Sequence, residues 1–160
     1  MFNSPQADVI KKWIAATLWI GVICIESTDL MSSNNTGSFI YSLLAPFWPH
    51  IDPIKFGEFH AVLRKMGHFV GYGILSFLLF RAWRATIKRG AQWTVLWAAV
   101  SFVMTALVAS LDEWHQTFIP SRTGTYKDVL LDSAAALCVQ VLLFFLLSRR
   151  ASTRVAHTGT

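Results

Sequence analysis

The sequence predicts an all-α integral membrane protein of four transmembrane helices, and three observations carry that expectation. Hydrophobic residues make up 54% of the chain and charged residues only 14%, against about 45–50% and ~25% in soluble domains. The missing charge decides the class, and the mean hydropathy is +0.46. Apolar runs at about 13–30, 66–83, 91–111 and 129–147 are each near the ~20 helical residues that cover about 30 Å of hydrocarbon at ~1.5 Å per residue. Basic residues sit mostly at the ends of these runs, as topology determinants do. The net charge of +5 therefore does not indicate nucleic acid, for which a basic stripe would be needed. The 160 residues read as one domain, 1–160.

The first run follows Lys11 and Lys12. A signal peptide would show a small-residue cleavage pattern behind its apolar stretch, but Glu26, Ser27, Thr28 and Asp29 stand there, so 13–30 reads as a spanning helix. Residues 32–64 form the longest connection. It opens with SSNNTGS, which reads as loop, and Pro46, Pro49 and Pro53 forbid one continuous helix. Its aromatic residues, among them Phe39, Tyr41, Phe47 and Trp48, suit either an amphipathic segment at headgroup level or a loop packed over the bundle end.

The second run opens with KMGHFVGYG. Lys65, His68 and Tyr72 are three and four apart and share a helix face. Gly67 and Gly71 have the spacing that lets a second helix approach closely. Residues 91–111 carry no charge. The fourth run contains Asp132 and Gln140 and is followed by Arg149, Arg150 and Arg154, with 151–160 read as a flexible tail. Cys24 and Cys138 both fall inside apolar runs, away from any CxxC spacing, and read as small hydrophobes within the bundle.

With four spans, Lys11, Lys12, Arg81, Arg84, Lys88, Arg89, Arg149, Arg150 and Arg154 fall on one side. Lys55, Arg64, Lys65, Arg122 and Lys127 fall on the other. The richer side is cytoplasmic by the positive-inside rule, which puts both termini in the cytoplasm. The polar stretch 110–132, SLDEWHQTFIPSRTGTYKDVLLD, then lies at the extracytoplasmic end with Lys65 and His68.

That stretch is the chemical centre of the chain. Ionisable groups near hydrocarbon are costly and mark function. Residues 112–118 should continue the third helix until Pro120, putting Asp112 and Glu113 each on a face with Gln116. Asp128 and Asp132 are four apart and stack, with Lys65, His68 and Arg122 as candidate partners. Two readings stay open. Lys65, His68, Tyr72, Asp112, Glu113, Gln116, Arg122, Asp128 and Asp132 line a binding pocket, or they form a polar plug that fixes helix register. Arg122 has the fork that grips a phosphate or carboxylate in two parallel hydrogen bonds. Among the histidines only His68 and His115 are expected to reach the cluster; a metal site of His68, His115 and Glu113 is possible in geometry, but no ligand spacing on one helix supports it. No phosphate-cradling glycine loop and no Ser-His-Asp pattern is present, so no cofactor is expected.

Lys65-Met66-Gly67-His68 with Tyr72, then Asp112-Glu113-x-x-Gln116-x-Phe118-x-Pro120-x-Arg122, then Asp128, resembles the VanZ-like family over most of the chain. The namesake of that family is an accessory membrane protein of low-level teicoplanin resistance. Ser121 stands where the family usually has Gly, Asp132 where it tends to have Asn, and Ala135 where it has Gly. The resemblance implies a small protein of the bacterial cytoplasmic membrane and supplies no catalytic assignment. On the pocket reading, the expected partners are membrane lipids and a lipid-linked cell-wall precursor or other envelope component, its anionic head group held by Lys65, His68 and Arg122. Ser121-Arg122, Asp128 and Asp132 also match the spacing of the membrane phosphatase signature Ser-Arg-x5-His-x3-Asp. Asp128 replaces the histidine, and the companion Pro-Ser-Gly-His element is missing. An enzyme acting on a lipid head group would draw on Glu113, Asp128 or His68 as base or nucleophile.

Overall fold

The computed structural model describes residues 4–48, 50–87 and 93–157, of which 148–157 by backbone alone. Among the described residues it is all-helical, without strands: α1 (Pro5–Glu26), α2 (Ser33–Leu44), α3 (Pro53–Thr86), α4 (Val95–Gln116) and α5 (Tyr126–His157), with a 3-10 turn at Asp29–Met31. Lys88, Arg89, the start of the third apolar run at 91–92 and the last tail residues, 158–160, lie outside the described residues.

Local chemistry sets the helix starts. Ser4 accepts from the Ala7 N–H and Pro5 opens α1, a pairing that satisfies one orphan donor and needs no N–H at the first position. The helix thus begins eight residues before the expected run and ends at Glu26, short of residue 30. SSNNTGS is not loop: Ser32 accepts from the Asn35 N–H and starts α2, because a capping serine outweighs the low helix propensity of the residues behind it. Pro46 lies two residues past Leu44 and cannot continue that helix. Asp52 Oδ1 accepts from the Ile54 N–H at 2.9 Å and Pro53 opens α3. Residues 53–64 are therefore helical rather than connection. The 34 residues of α3 measure about 51 Å, well beyond the ~30 Å of a hydrocarbon core. Thr94 caps α4 through the Trp97 N–H.

The long α3 is central and packs against α1, α4 and α5, while α4 and α5 pack on each other. Ala16 and Ile23 of α1 meet Tyr72, Leu75 and Leu79 of α3 and Ala109 of α4 in one core cluster. Phe80, Trp97 and Leu143 make a second, with Trp83, Trp93 and Leu147 against it. Two helices, Val95–Gln116 and Tyr126–Leu147, are long and apolar enough to cross a membrane. Their outer positions expose Val103, Leu107, Leu111, Leu137, Val141 and Phe145, and buried between helices are Ser76, Ser101, Thr105 and Gln140. Gln140 Nε2 donates to Ser76 Oγ at 2.7 Å, tying α5 to α3.

Two expectations are corrected here. A Cβ on Gly67 or Gly71 would meet nothing within 4 Å, so the pair is not a close helix approach within this chain. The Gly71 carbonyl instead accepts from Trp19 Nε1 at 2.8 Å and ties α3 to α1. Cys24 and Cys138 are free and exposed on the outer surface, not inside the bundle.

Candidate functional site

The site is built where α1 and α4 end, α5 begins and the first half of α3 passes. α4 runs on to Gln116, which puts Asp112 and Gln116 on one face as expected. Tyr72 Oη donates to Asp112 Oδ2 at 2.9 Å, and Gln116 Nε2 donates to the same oxygen at 3.1 Å. Asp112 is thus a buried carboxylate satisfied by neutral donors.

The 117–125 connection folds back against α4. Thr125 N–H donates to Glu113 Oε2 at 2.7 Å, and a Cβ on Gly124 would stand 2.2 Å from the Glu113 carbonyl oxygen. Only glycine permits that approach. Thr125 also opens α5: its Oγ1 accepts from the Asp128 N–H at 3.3 Å and donates to Asp128 Oδ2 at 3.0 Å.

Of the expected cation partners, Lys65 Nζ stands 3.7 Å from Asp128 Oδ1, and His68 Nδ1 stands 3.6 Å from Asp132 Oδ2. Arg122 pairs with neither aspartate. Its Nε and Nη2 donate to the Thr28 carbonyl at 3.3 and 3.0 Å, and Nη2 also donates to the Glu26 carbonyl. These groups end α1, where helix carbonyls lack intrahelical donors, so the guanidinium holds that end in place. Ser121 Oγ donates to Asp29 Oδ1 beside it. These long-range contacts tie the end of α1 to the 117–125 connection.

Above these residues opens a cavity of about 540 Å³, lined among others by His60, Arg64, Lys65, His68, Glu113, Gln116, Arg122 and Asp128. A second, of about 210 Å³, shares His60, Arg64, His68 and Arg122 with it. Tyr72, Asp112 and Asp132 do not line the larger cavity but lie beneath it. Sequence reasoning missed Arg64 and excluded His60. Arg64 lies one helical turn before His68 on the face already singled out, a signal that could have found it. His115, expected near the cluster, meets Ser27 Oγ at 3.1 Å.

Arg64 also shapes the field. Burial and then Arg64 push the His60 imidazole below its ordinary pKa, and the same two causes, in that order, press on the Arg122 guanidinium. Both arginines remain charged at neutral pH. Two guanidiniums facing one partly enclosed space, with Lys65 at its edge, make it attractive to anions. For cations, the ligand-type atoms of His68, Glu113 and Asp132 all lie within 4.8 Å of one another. Sequence spacing on a single helix could not reveal that set, because each residue comes from a different helix.

Apolar side chains outside and Ser, Thr, Gln and Asp inside, with two helices apolar enough to cross a bilayer, point to a membrane protein. Residues 12–148 match the family described as VanZ/LLP1, and the chain belongs to that family, in line with the resemblance read from its motifs. No curated protein and no solved structure matches it.

Proposed function

We propose that this protein crosses the bacterial cytoplasmic membrane four times, by α1, α3, α4 and α5, with both termini in the cytoplasm. In this reading the polar end faces outward and binds the anionic head group of an envelope lipid, such as a lipid-linked cell-wall precursor. Exposed apolar residues on all four long helices support the spans, Leu18 and Val22 on α1 and Phe69, Val70 and Phe77 on α3 included. The exposed Phe39 and Leu43 of α2 suit a helix resting at headgroup level beside the site.

The observation that carries the ligand reading is the cavity of about 540 Å³ in which Arg64, Lys65 and Arg122 converge with His60 and His68. Arg122 shapes the wall by fixing α1, and Arg64 and Lys65 are the side chains that reach a head group. Occupation of this site by a cell-wall precursor is the route by which the protein would bear on glycopeptide antibiotics such as teicoplanin. The experiment is to identify lipids retained by the protein purified in mild detergent. A phosphate-bearing lipid should accompany the wild type and fall at least about tenfold in the Arg64→Ala, Lys65→Ala double variant. An unchanged lipid complement would refute the anion site. Release of a hydrolysed head group during the same incubation, stopped by Asp128→Asn, would replace binding by catalysis.

A further inference from the structure

We propose that His68, Glu113 and Asp132 form a binding site for a divalent transition-metal cation of the zinc class, at the floor of the larger cavity. Each residue comes from a different helix, and their ligand-type atoms lie within 4.8 Å of one another. His68 Nδ1 and Asp132 Oδ2 are 3.6 Å apart. That is too far for a hydrogen bond and close to the about 3.4 Å that separates two donors each ~2.1 Å from a tetrahedral zinc ion.

The second observation is the state of Asp132. It is 0% exposed, and among the described residues neither of its oxygens receives a hydrogen bond; His68 Nδ1 also lacks one. Burying a carboxylate without a hydrogen-bond donor is costly, and such groups are normally paired or bound to metal; the group at ion-pair distance from Asp132 is His68, itself one of the three ligands. Nearby Asp112 shows how this bundle satisfies a structural carboxylate, with donors from Tyr72 and Gln116. Asp132 has no such donors.

A cation accepts lone pairs from the imidazole and both carboxylates at once. The Thr125 N–H on Glu113 Oε2 is the kind of outer contact that orients a ligating carboxylate. One imidazole with two carboxylates suits zinc or its neighbours better than the thiolate-seeking metals. Since His68 and Glu113 also line the cavity, a further coordination position opens toward it, as in three-ligand zinc sites. The metal site stands independently of the anion reading, so its test omits lipid and phosphate.

The full chain, purified in detergent and stripped with a chelator, is titrated with Zn²⁺ against a chromogenic competitor. One ion per chain should bind at micromolar Kd or tighter. Asp132→Asn and His68→Ala should each weaken binding at least about 100-fold, since even outer-contact changes cost 10–100-fold. His115→Ala should bind as wild type. Zn²⁺ should also raise the Tm of wild type but not of Asp132→Asn, as a ligand of the folded state does. If Asp132→Asn fails to fold, Glu113→Gln and the visible spectrum of Co²⁺-loaded wild type, compared with Co²⁺-loaded His68→Ala, decide the matter in its place. Absence of saturable Zn²⁺ and Co²⁺ binding, or equal binding by the three ligand variants, would overturn the site.

Discussion

At one end of the bundle Phe80 and Trp97 meet edge to face at 6.2 Å, Leu143 closes over them, and Trp83 and Trp93 pack behind. At the other, the same helices bring together Tyr72, Asp112, Glu113, Gln116, Arg122 and Asp132, all buried, beneath an open cavity. The first end contains what a stable bundle needs. The second keeps buried charges of a kind that well-packed apolar residues of similar volume can often replace without loss of stability. Under the proposed function, it is this open, charged end rather than the end closed by aromatic packing that meets the ligand.

Substitutions can separate the two ends. Trp97 is 1% exposed, and Trp97→Ala should cost about 4 kcal/mol through the cavity it leaves, read as a shift in a detergent unfolding titration, with Zn²⁺ affinity in the surviving folded fraction unchanged. Gly124→Ala should cost about 3 kcal/mol, since the new methyl would meet the Glu113 carbonyl at 2.2 Å and the connection must shift. Unlike the first change, it should also impair metal and lipid binding. If Gly124→Ala lowers only stability, the polar end is packing after all. Tyr72→Phe should cost about 2 kcal/mol, because it removes a donor from a buried carboxylate that Gln116 still partly satisfies. The smallest effect is expected at Gly71→Leu, within about 0.5 kcal/mol, as its Cβ meets open space. A large loss there in the same titration would reveal a neighbouring chain on that face.

The helical class and the gathering of polar residues at one end were legible in the sequence, because runs of apolar residues and the spacing of Asp112, Gln116, Asp128 and Asp132 are local signals. Helix starts were misread where one capping side chain decided them, as with Ser32 before α2 and Asp52 before α3. Partnerships across the chain were legible in part: Lys65 and His68 were expected beside Asp128 and Asp132 and stand 3.7 and 3.6 Å from them. Arg122 read as an anion fork, yet its donors go to the carbonyls of Glu26, the last residue of α1, and of Thr28 just beyond it, nearly a hundred residues away. Asp132 read as the partner of a cation and stands 3.6 Å from His68 Nδ1, while its lack of any hydrogen bond depends on three helices placed in space. The mutual reach of His68, Glu113 and Asp132 has the same origin.

The outward position of the polar end is the proposal on which the envelope ligand depends, and sidedness can be measured. In a version lacking Cys24 and Cys138, a single cysteine is placed at exposed Thr123, on the connection over the cavity, or at exposed Lys11, at the opposite end of α1. Intact cells are then treated with a membrane-impermeant thiol reagent. Thr123→Cys should react without permeabilisation and Lys11→Cys only after it. Labelling of Lys11→Cys but not Thr123→Cys in intact cells would place the cavity in the cytoplasm and contradict an envelope ligand.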